Sequence, residues 1–223
     1  MGIPRVYRKS GEKAIASYNF TDIAEGTGIV IFKLATARDS SATLQKILIE
    51  SNIYSDSIST ETAGSSSGSA TKTGNTDFDL TIFNLPKIIG GTAFVNIGWG
   101  CEGNSNNQGG TNAFLIVKIR KWDGSTETDL GEGKTSTIVG PESAGSFTGI
   151  TSALKIDIPK THFKKGNNLR VTVEEWTLLG GGSNPGSVHI GHDPQNRDGD
   201  LIKPASADII TKSNVHIPFV FDL

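Results

Sequence analysis

Apolar residues along this chain recur at every second position more clearly than at helical spacing. In "NAFLIVKIRKW", Phe114, Ile116, Lys118, Arg120 and Trp122 fall on one face, and Leu115, Val117, Ile119 and Lys121 on the other. Such a segment starts buried on both sides and turns polar as it leaves a core. "FDLTIFNLP" sets Phe78, Leu80 and Ile82 against Thr81, Phe83 and Leu85. "LKIDIP" and "LRVTVEEW" share the texture, with Leu169, Val171 and Val173 opposing Arg170, Thr172 and Glu174. Further strands are expected at Ala14–Phe20, Ile29–Leu34, Leu44–Tyr54, Ala93–Trp99 and Asn214–Asp222. One short helical interruption is expected within Ala35–Gln45.

Turn chemistry separates these runs: "DGS" at Asp123, "KKGNN" at Lys164, "GGGSNPG" at Gly180 and "DGD" at Asp198. Many strands with Gly, Asn and Ser turns and almost no helix predict an all-β protein. The expected architecture is an antiparallel β-sandwich of jelly-roll type. Residues 1–12 form an extended basic arm, and residues 13–223 a single domain. "STETAGSSSGSATKTGNTD" reads as a low-complexity loop too polar to pack alone, and "GCEGNSNNQGG" as a second long loop.

Composition supports this and narrows function. At 223 residues the chain can bury a core without disulfides or a structural metal. Its formal charge of −2 does not favour nucleic acid or an anionic membrane as partner, because both call for a basic patch. Cys101 is the single cysteine, which excludes an intrachain disulfide and a thiolate cluster. The N-terminal "MGIPRVYRKSGEK" has no apolar run behind its basic residues, so no secretory signal is expected. Val6 stands where a myristoylation signal wants Ser or Thr.

Several familiar motifs fail on context. "GWGCEG" matches the dinucleotide fingerprint, but "NSNNQGG" cannot be the helix that would hold a pyrophosphate. "GEGKT" lacks the leading glycine of a P-loop, and "GSSSG" lacks the strand–turn–helix setting of a nucleophile elbow. His162 and His216 read as surface or partly buried sheet residues. Cys101, in a glycine-rich loop, has no recognisable catalytic partner. No catalytic residue and no cofactor is assigned.

The densest polar stretch is "HIGHDPQNRDGD", His189 to Asp200. His189 and His192, three apart, would face opposite sides of a strand, so a zinc pair there needs a turn. Asn196, Asp198 and Asp200 are the minority candidates for a loose calcium loop. The preferred reading is a shaped turn, with Arg197 free to meet an acidic group on this chain or a neighbour.

The segments "GIPRVYRKSGEKAIASYNFTDIAEGTGIVIF", "LIVKIRKWDGSTETDLGEG", "IPKTHFKKGNNLRVTVEEW", "GHDPQNRDG" and "VHIPFVFDL" together resemble a group of little-characterised virion structural proteins of environmental tailed viruses. The resemblance covers most of the chain in texture and segment order, and carries no catalytic signature. It implies a jelly-roll or related sandwich that assembles as an oligomer on a viral particle made in the host cytoplasm.

The resulting expectation is a non-enzymatic capsid decoration or cement subunit. Its partner would be a major capsid or other virion protein, met through the arm residues Arg5, Arg8 and Lys9 together with Arg197. The alternative is a carbohydrate-binding attachment module, with Trp99, Trp122 and Trp176 as an aromatic platform for a glycan.

Overall fold

The computed structural model describes residues 27–38, 42–50, 59–103, 111–179, 185–192 and 213–220. The expected arm at 1–12, the strand at Ala14–Phe20, Arg197 and the calcium candidates Asn196, Asp198 and Asp200 lie outside them. The described residues form twelve strands and no helix. These are β1 (Thr27–Arg38), β2 (Leu44–Ile49), β3 (Ser59–Ala63), β4 (Thr71–Asp79), β5 (Lys87–Glu102) and β6 (Thr111–Trp122). They continue with β7 (Glu127–Lys134), β8 (Ile138–Val139), β9 (Phe147–Phe163), β10 (Asn168–Leu179), β11 (Ser187–Gly191) and β12 (Asn214–Val220).

The chain is an all-β sandwich, and one hydrogen-bonded path runs through it in the order β3-β11-β5-β12-β1-β2-β4-β10-β6-β7. Every pairing is antiparallel except β2 with β4, which touch through the single pair Ile47↔Asp79. There the path folds over from one layer to the other. Strand β5 organises the first layer. It pairs with β9 along its length on one edge, and on the other with β12 and then β11. Strands β4, β10, β6 and β7 form the second layer.

Alternation along these strands builds the core. Val95, Ile97, Trp99 and Cys101 of β5 join Leu115, Val117 and Ile119 of β6 and Leu169, Val171 and Val173 of β10 in one buried cluster. Trp99 donates its indole proton to Ser152 Oγ at 2.9 Å, which satisfies its one polar atom inside the core.

Three sequence expectations need correction. Among the described residues of Ala35–Gln45 no helix forms: β1 continues to Arg38 and pairs antiparallel with β2, with Ala37 opposite Gln45 and Arg38 opposite Leu44. The pairing and the burial of Leu34, Ala35 and Thr36 outweigh the helical preference of a short Ala-containing run. The stretch from Ser59 to Asp77 is no unpacked loop, since it supplies β3 and most of β4. Its polar groups find partners on β10: Ser65 N–H donates to Thr177 Oγ1 at 2.7 Å, and Ser67 O accepts from Leu179 N–H at 2.8 Å. Finally, the strand at Phe78–Pro86 stops at Asp79. Beyond it Phe83 turns inward and meets Phe163 and Phe219 edge-on, closing one end of the sandwich.

Candidate functional site

Register brings chemistry together on the outer face of β3, β11 and β5. His189 of β11 lies opposite Glu61 of β3 on one side and Gly100 of β5 on the other. Side chains directly opposite in a ladder share a face, so Glu61 and His189 project together, and Glu102, two residues beyond Gly100, joins them. His189 Nε2–H donates to Glu102 Oε2 at 3.1 Å. One ligand-capable atom from each of Glu61, Glu102 and His189 lies within 4.8 Å of the other two.

Two glycines make this close approach possible. A Cβ on Gly100 would lie 2.6 Å from the Phe147 ring, which itself packs edge-on against the His189 imidazole. A Cβ on Gly186 would overlap the carbonyl oxygen of Glu102. The imidazole is therefore held between Phe147 and Glu102, with only 5% of the residue exposed. Its Nδ1 is buried and has no hydrogen-bond partner. Beside the cluster lies an open cavity of about 270 Å³, lined by Glu61, Glu102, Gly103, Ala144, Gly145 and Ser187 among others.

Chemically, a carboxylate-paired imidazole beside an open cavity can hold a proton, or an ion bound through nitrogen and oxygen. Sequence reasoning considered His189 only with His192 and overlooked Glu61 and Glu102. Their positions, 61, 102 and 189, carry no motif spacing, and only strand pairing unites them. His192 instead points elsewhere: it is fully buried, 2.8 Å from Thr60 Oγ1 and edge-on to Phe78. His162 is exposed on β9, and His216 is half-buried on β12, where burial lowers its pKa.

Cys101 is not in a loop but in β5, buried on the core side, and burial pushes its thiol up to about 12. The "GWGCEG" segment is likewise continuous strand up to Glu102.

The three tryptophans do not form a platform. Trp99 is wholly inside the core. Trp122 pairs with Asn168 at one end of the β6–β10 ladder, and Trp176 pairs with Phe114 well along toward the other. Trp122 lies under Arg170, whose guanidinium carbon is 4.8 Å from the ring centroid, while Trp176 stacks on Phe114. Between them runs a charged ladder on the outer face of β4, β10, β6 and β7. Glu174 receives Lys72 at 2.8 Å and Lys118 at 3.1 Å. Arg120 binds Asp129 and Glu127, and Arg170 grips Asp79 with two hydrogen bonds and also reaches Glu127. Burial of Glu174 opposes its ionisation, yet hydrogen bonds from Lys72, Trp176 and Lys118 outweigh it and hold the carboxyl at about 2.

No protein-family model matches the sequence, and no curated protein matches it. Solved structures do share the fold. A CocE/NonD family hydrolase from Staphylococcus aureus superposes with a TM-score of 0.52 at 14% identity, over 87% of this chain and 37% of its own. An aminopeptidase from a marine sediment Thaumarchaeota archaeon superposes with a TM-score of 0.53 at 9% identity, over 85% of this chain and 37% of its own. This chain thus spans just over a third of the length of these hydrolases. At such identities the likeness establishes the fold. The expectation of a non-enzymatic capsid decoration subunit is corrected at this point: the solved structures that share the fold over most of this chain are hydrolases. Periodicity and loop texture misled here: they report a sandwich, and a sandwich is common to many functions.

Proposed function

We propose that this chain is the β-sandwich part of a hydrolytic enzyme, working with a catalytic unit that supplies the nucleophile. The observation that carries this reading is the shared fold: most of this chain superposes on just over a third of two different hydrolases. The hydroxyl–imidazole pair of Thr60 and His192 does not replace such a unit, because His192 is completely covered and no substrate reaches it.

The test is turnover of aryl esters and aminoacyl anilides by the complete natural polypeptide or assembly that contains this chain. Hydrolysis well above the uncatalysed rate, lost when a fluorophosphonate labels the assembly, is the expected result. An assembly that turns over neither substrate class and takes up no label would overturn the reading.

A further inference from the structure

We propose that Glu61, Glu102 and His189 form a binding site for one divalent transition-metal ion of the zinc class. The proposal stands on this cluster and is independent of the hydrolytic reading.

Three donors converge from three neighbouring strands, so their backbones are held by a ladder and not by a loop. A zinc ion bound at ~2.0–2.2 Å in tetrahedral geometry sets its donors ~3.4 Å apart. His189 Nε2 and Glu102 Oε2 already stand 3.1 Å apart, and the third donor lies within 4.8 Å of both. Glu61 is exposed, so a rotation of its flexible side chain closes the remaining gap. The adjoining cavity leaves room for a water or a ligand group in the fourth position.

A second observation concerns the imidazole itself. His189 is buried, and its ring packs edge-on against Phe147 with Nε2 directed at Glu102 Oε2, so the nitrogen that would bind the ion is already held toward a carboxylate. A metal on Nε2 takes the place of the proton that lies between the ring and Glu102, and binds both groups directly. The donor set of one imidazole and two carboxylates selects zinc-class ions over calcium or magnesium, which take oxygen donors. Cys101 is adjacent in sequence to Glu102 but faces the core, so no thiolate joins the set.

The experiment uses the full chain without a histidine tag, stripped with a chelator. It is titrated with zinc chloride by calorimetry, and with cobalt(II) chloride followed by visible absorption. One equivalent of zinc is expected, with a four-coordinate cobalt spectrum. Glu61→Gln and Glu102→Gln should each weaken zinc by about tenfold or more, as loss of a donor requires at least what loss of a supporting partner does. Glu61 is exposed, so its variant should melt like the parent without metal, and it decides the matter even where His189→Gln fails to fold. Absence of stoichiometric binding, or binding unchanged in both glutamine variants, overturns the site. Zinc binding by this chain with no turnover by the complete assembly leaves this site standing and defeats the hydrolytic reading; turnover by the assembly with no zinc bound here does the reverse.

Discussion

Thr76 donates its hydroxyl proton to Glu175 Oε1 across 3.0 Å, and the carboxyl group it meets is buried on the core side of β10. The other carboxyl oxygen, Oε2, has no hydrogen-bond partner. Burial dominates, with the Thr76 bond acting in the opposite direction, and the pKa rises from 4.5 to about 7. The group is thus a neutral acid over the mildly acidic range. Below 4.5 the carboxyl is protonated in the folded and the unfolded chain alike, and no stability is lost. Between 4.5 and about 7 the unfolded chain releases the proton while the folded chain keeps it, so stability falls. Above about 7 the loss is complete, at roughly 3 kcal/mol. Urea denaturation across this range should show that decline, and Glu175→Gln should flatten it.

Glu174, the next residue, behaves in the opposite sense because it faces the charged ladder. Its pKa is depressed to about 2, so its contribution is present above its ordinary value of 4.5 and disappears as pH falls through 2. Glu174→Gln should cost about 1.5–3 kcal/mol at neutral pH, since it removes charge-assisted hydrogen bonds from Lys72 and Lys118. The same denaturation series measures it, and the acid limb of the profile should disappear.

Trp99→Ala should destabilise the fold by about 3–5 kcal/mol, through a large core cavity and the loss of the Ser152 bond. Trp122→Ala, on the outer face, should cost much less. Comparing the two in chemical denaturation checks that the core runs through β5 and not across the outer face of β6.

Cys101 should be inert in the folded chain. Its thiol is buried and stays protonated up to about pH 12, so a thiol-reactive disulfide reagent at mildly alkaline pH should label it only after denaturant is added. Rapid labelling of the native protein would show that β5 frays at this point.

Much of the sandwich was legible along the chain. The two faces of β6 came directly from alternation, because a strand's side-chain period is two whatever it pairs with. The turn at Asp123 was equally clear, and its carboxylate accepts from Thr126 N–H and Ser125 N–H. Those bonds, Thr126 first, hold it below the usual carboxylate range. Polar β3 and β4 were not legible, because they are strands only while the hydrogen-bonding edges of β11 and β10 lie beside them. The long β9 was also underread, since its alternating face is mostly exposed and only Ile156, Ile158 and its two ends are buried.

By itself the sequence determined the all-β class, several strands and turns, and the lack of a thiolate cluster, because these depend on local periodicity and residue chemistry. Tertiary structure alone decided that Trp99 and Cys101 face the core, that Glu175 is buried, and that Glu61, Glu102 and His189 meet. Each of those facts depends on which strand lies beside which and in what register. A one-residue slip would send every side chain to the other face. No local pattern around residues 61, 102 or 189 encodes that pairing, which is settled by burying the sandwich core as a whole.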